Sequence, residues 1–85
     1  MSERPRRRDG LTIEPIEDGF VIYQPERDRI HYLNHTGLLV LELCTGHHTA
    51  GEIAELVRKA YALADPPSRE VQEVLVKLAD EGLTD

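Results

Sequence analysis

The stretch that most limits what this chain can become is RIHYLNHTGLLVLELC, residues 29–44. Its first five residues set β-favouring Ile30 and Tyr32 between polar Arg29 and His31, the alternation of a half-buried strand over Arg29–Leu33. Asn34 then offers a side-chain oxygen to the unpaired N–H groups of a first helical turn. Leu38, Leu39, Val40, Leu41, Leu43 and Cys44 follow with only Glu42 between the last of them. A helix apolar on nearly every side needs cover from several directions. The rest of the chain has to wrap it.

The wrapping is legible in both directions. Upstream, residues 11–16 (LTIEPI) make a short extended piece, Glu17-Asp18-Gly19 a turn, and residues 20–24 (FVIYQ) a strand. Pro25 to Asp28 turns the chain into Arg29–Leu33, so three short strands form an antiparallel meander. Downstream the period changes to 3.6. Gly46 suits the left-handed position after the first helix, and Thr49 to Glu52 is a capping box. Ile53, Leu56, Val57, Ala60 and Tyr61 form one helical stripe. Asp65-Pro66-Pro67-Ser68 opens a third helix, with Asp65 or Ser68 as its cap, and Val71, Val74, Leu75 and Leu78 as its apolar face. Gly82 closes it, and Leu83 folds back onto it. The order β-β-β-α-α-α predicts an α+β domain with sheet packed on helices.

Charge separates the chain into two parts. Arg4, Arg6, Arg7 and Arg8 lie in the first eight residues against Glu3 alone; from Asp9 onward 6 basic residues face 15 acidic ones, a balance of about −9. Residues 1–10 therefore read as a solvated, disordered basic arm and residues 11–85 as the folded domain. An acidic body repels phosphate backbones and weighs against nucleic acid. No apolar run approaches membrane-spanning length and the N-terminus lacks the apolar stretch of a signal peptide, so a cytoplasmic home is expected. The single cysteine, Cys44, reads as an inert core thiol.

Chemistry is hard to find. His31 and His35 straddle a strand-to-helix break and His47-His48 falls in a turn, so no metal-ligand spacing emerges. No nucleophile elbow, phosphate-cradling glycine loop or paired catalytic carboxylates are present. An enzyme is not expected, and no cofactor. A binding surface is: the third strand of a meander has a partner on one side only, and its other edge suits an added extended peptide, a covering segment of the same chain, or a second copy.

Three motifs carry a family resemblance. Tyr32-Leu33-Asn34-His35-Thr36-Gly37, then Leu41-Glu42-Leu43-Cys44-Thr45-Gly46, then Thr49-Ala50-Gly51-Glu52-Ile53-Ala54 resemble the PqqD-like family, whose pattern runs LN-x-[ST]-[AG], then LELC-x-G-x-x-T-x-x-EI. Val71, Leu75, Leu78, Gly82 and Leu83 are similar to the family's closing helix, so the resemblance spans roughly residues 18–83. It implies a winged helix-turn-helix-like fold and a RiPP recognition element, which binds the leader of a ribosomally made precursor peptide and presents it to a modifying enzyme, often a radical SAM protein. The leader is implied to add as a strand beside Arg29, Ile30, His31, Tyr32 and Leu33, with Glu70, Val74, Lys77 and Leu78 as the helix wall. On the residues themselves, Val71, Leu75 and Leu78 read as core, leaving Val74 and Lys77 as the wall; Tyr32 reads equally as core aromatic or contact. A winged-helix DNA-binding protein and a plain dimerisation module are the alternatives. The expected state is a monomer or a weak edge-strand dimer.

Overall fold

In the computed structural model, which describes residues 3–85, the strands are β1 (Thr12–Ile16), β2 (Gly19–Gln24) and β3 (Arg29–Leu33), and the helices are α1 (His35–Leu43), α2 (Ala50–Ala60) and α3 (Ser68–Asp80). The sheet is antiparallel in the order β1-β2-β3. One turn of 3-10 helix, Pro25–Arg27, joins β2 to β3, with Asp28 at φ 50 closing it. Register follows from alternation: Phe20 pairs with Leu33, Val21 with Tyr32, Ile22 with His31, Tyr23 with Ile30 and Gln24 with Arg29. Phe20, Ile22, Gln24, His31 and Leu33 thus share the face turned to the helices, while Val21, Tyr23, Ile30 and Tyr32 share the outer one.

Ile22 and Leu33 meet Leu38, Val40, Leu41 and Cys44 of the α1 segment, Ile53, Ala54 and Val57 of α2, and Val71, Leu75, Leu78 and Leu83 of α3 and its end, all in one buried cluster. As its sequence required, α1 is covered by both other helices and by the sheet. The caps explain where helices begin. Asn34 accepts from the Gly37 N–H at 2.7 Å, and Thr49 and Glu52 exchange hydrogen bonds at 3.2 and 2.8 Å. At the far end of α3, Gly82 takes φ 75 and the Leu83 N–H donates to Leu78 O at 2.9 Å, tucking Leu83 into the core.

Three expectations change. Neither Asp65 nor Ser68 caps α3: Pro67 holds the cap position with no side-chain bond, and its carbonyl accepts from Val71 N–H at 2.9 Å. The α2 stripe stops at Val57, because Ala60 and Tyr61 project past the end of the core and are exposed. The basic segment is docked from Pro5 to Arg8, while Met1 and Ser2 lie outside the described residues. Arg7 N–H donates to Cys44 O at 2.8 Å, Gly46 N–H to Pro5 O at 3.0 Å, Arg8 N–H to Leu83 O at 2.9 Å, and Asp85 N–H to Arg6 O at 2.9 Å. These carbonyls and amides at the ends of α1 and α3 need partners, and the arm supplies them while burying Pro5.

Candidate peptide-binding site

Beyond β3 the sheet ends. Among the described residues nothing pairs with the outer edge of this strand; the arginine segment bridges Thr45 and Thr84 instead. β3 therefore offers a row of backbone groups to an incoming chain.

α3 and the start of α1 wall this edge. A depression of about 430 Å³ is lined by Asn34, Thr36, Glu70, Glu73, Val74 and Lys77. A smaller one of about 130 Å³ is lined by Tyr32, Leu33, Asn34, Gly37, Val74 and Lys77. They share Asn34, Val74 and Lys77, so together they form one groove running from β3 along α3. Glu70, Glu73, Val74 and Lys77 stand at i, i+3, i+4 and i+7, a stripe beside the Val71, Leu75 and Leu78 core stripe.

Burial sorts the predicted residues. Ile30 is 71% exposed and Tyr32 48%, both on the outer face, which decides the question of Tyr32 against the core. Arg29, Glu70 and Lys77 are exposed, and Val74 is half-buried. Leu33 and Leu78 are 3% and 0% exposed, so their side chains belong to the core: Leu33 keeps its backbone as a strand residue, and Leu78 follows the core reading of its residues rather than the wall role that the resemblance implied. Thr36 and Glu73 line the groove outside the predicted set, and Asn34 does so besides capping α1. Glu73 had a signal, its place in the helical stripe of Glu70, Val74 and Lys77. Thr36 had none, because its position follows from how α1 meets α3.

Two features hold the edge in place. Tyr32 lies across Gly19: its hydroxyl donates to Asp18 O at 2.9 Å, and a Cβ on residue 19 would sit 2.6 Å from that hydroxyl and 2.7 Å from Leu33 O. Only glycine leaves that space. On the inner face, the amide of buried Gln24 donates to Gly82 O at 2.9 Å, so its oxygen faces His31 Nε2 at 3.2 Å. His31 Nδ1 stands 3.0 Å from Glu81 Oε2, and the other Glu81 oxygen is 4.0 Å from Lys77 Nζ. This chain of contacts ties β2 and β3 to the end of α3, which keeps the strand and the helix wall at a set distance.

No cluster of three His, Cys, Asp or Glu residues that could hold a metal occurs among the described residues. His35 packs edge-on against Phe20 at 5.1 Å between ring centroids. Among the described residues no helix is long and apolar enough to cross a membrane.

Residues 19–83 match the family model for coenzyme PQQ synthesis protein D (PqqD). No curated protein matches the chain. A solved structure described as TbiB1 in complex with the TbiA(beta) leader peptide superposes with a TM-score of 0.72 at 21% identity, covering 94% of each chain. At that identity the likeness is one of fold.

Proposed function

The chain belongs to the PqqD family, and from that premise we propose that it is a RiPP recognition element: it binds the leader segment of a ribosomally synthesised precursor peptide by strand addition and presents it to a modifying enzyme, without catalysing a reaction itself. The observation that carries this reading is the unpaired edge of β3 lying beside the α3 groove. Backbone pairing gives affinity there, and the groove gives selectivity. The family match and the fold shared with a protein solved with its leader peptide support the same reading.

The contacts we assign are the backbone of Arg29, Ile30, His31, Tyr32 and Leu33, with Val74, Lys77 and Glu70 as side-chain wall. Glu70 and Glu73 favour basic groups on the leader at the Thr36 end, and Lys77 favours an acidic or carbonyl group near Leu33. The acidic groups along α3 count against the DNA-binding alternative.

Successive N–H groups of a strand point alternately to either side, so proline at Ile30 or at His31 removes an outward donor in one of the two variants. The variant that keeps its sheet by circular dichroism and thermal melting is the informative one. Its affinity for the labelled leader of its precursor, read by fluorescence anisotropy, is expected to fall at least about tenfold. Unchanged affinity would remove β3 as the site.

A further inference from the structure

The outer face of the sheet carries an apolar surface that meets the groove only at Tyr32. Ile16, Tyr23, Ile30 and Tyr32 are all well exposed there, and Ile30 is 71% exposed. The apolar weight lies toward the open edge. β1 shows polar Thr12 and Glu14 beside Ile16 on this face, whereas both outward residues of β3, Ile30 and Tyr32, are apolar. On the β2 side Ile30 has Tyr23 and Tyr32 has Val21 as cross-strand neighbours; on the free side each lacks one among the described residues. Exposed apolar side chains beside an unpaired edge invite aggregation unless something covers them.

A strand that adds to β3 supplies the missing neighbours. Its residues opposite Ile30 and Tyr32 point to the outer face, and the residue between them, opposite His31, turns toward the helix side. Resting on the leader-binding reading above, we infer that the leader is selected on both of its faces. It carries β-branched or aromatic residues at two positions, i and i+2, that pack outward on Ile30 and Tyr32, while the intervening positions face the groove along α3. The substrate class is an extended segment that presents an apolar pair, two residues apart, on the face turned away from the helices. The occupant is a single peptide rather than a second copy, because the groove beside the edge has room for the inward side chains of one strand.

The test is a phage-displayed library of random 12-residue peptides panned on the protein and on the Ile30→Thr/Tyr32→Thr double variant, since threonine keeps strand propensity while removing apolar area. The wild-type chain is expected to enrich peptides with β-branched or aromatic residues spaced two apart. The double variant loses that spacing and binds the best wild-type-selected peptide roughly three- to thirtyfold more weakly. Failure to enrich any peptide, enrichment without the spacing, or the same peptides emerging from the double variant each overturn the inference. The proline variants separate the two readings. Binding lost with proline but kept with threonine leaves strand addition standing and removes the outward pairing; binding kept with both removes the site as well. A dimer in sedimentation velocity that dissociates in the double variant would replace the peptide with a second copy.

Discussion

Cys44 caps the end of α1 with no exposed surface, in the buried cluster that α1 shares with α2 and α3, its Sγ donating to Val40 O at 3.1 Å. Burial pushes its thiol up from 9.0 to about 11, since a thiolate there would lose its hydration with no cation in compensation. Between those two values an unfolded chain releases a proton that the folded chain keeps. Raising the pH through that window therefore favours unfolding, and the stability fully present below pH 9 is lost as pH approaches 11. The loss attributable to this group is at most about 2–3 kcal/mol. Urea titrations across the window should show it. Cys44→Ala starts less stable because it leaves a cavity, but its stability falls less steeply over the same window, other titrating groups being common to both. Equal slopes would mean the thiol is not desolvated. Below pH 9 the native thiol should resist iodoacetamide until urea unfolds the chain.

At the scale of elements, what could be read from the sequence was whatever rests on neighbours in the chain. Strand β3, the Asn34 cap and the Thr49–Glu52 box depend on alternation and on hydrogen bonds spanning three residues, and all three stand in the structure. The open edge was legible too, because a meander must end somewhere. The division of α3 reads in two ways: the resemblance implies Leu78 in the wall, whereas helical spacing puts Val71, Leu75 and Leu78 in the core and leaves Val74 and Lys77 outside it, and the rotation of α3 follows the spacing. Pro67 displaced the expected caps of α3 because its ring fixes the backbone one residue before the helix. Asn34 joins element and site, since it caps α1 and lines both parts of the groove. Asn34→Ala should lower stability by about 1 kcal/mol in chemical denaturation, and Asn34→Asp should restore it by keeping a capping oxygen. If the aspartate variant also weakens leader binding while folding normally, the amide itself contacts the peptide.

Across the whole molecule, the arm and the groove occupy opposite ends of the same helices. The arm docks on residues 44–46 and 83–85, past the ends of α1 and α3, whereas Asn34, Thr36 and Glu70 to Lys77 line the groove at the start of α1 and along α3. Composition alone could not foresee the docking, because the carbonyls that receive the arm lie some forty and eighty residues away along the chain, and four arginines in a row of eight read as solvated. A chain beginning at Asp9 loses the buried Pro5 and four backbone hydrogen bonds. Each bond contributes about 1 kcal/mol, much of it offset by the entropy of holding the segment in place. The net loss should be about 1–3 kcal/mol, a melting temperature lower by at least about 5 °C in calorimetry. Removing the four arginines and Glu3 leaves 6 basic residues against 15 acidic, so the truncated chain repels itself more and its stability should recover partly with added salt. Leader affinity should stay within about twofold at moderate salt, since no arm residue lines the groove beside β3. A large loss of affinity in a chain that still folds would place the arm on the peptide instead, and an unchanged melting temperature would show that its docking contributes nothing.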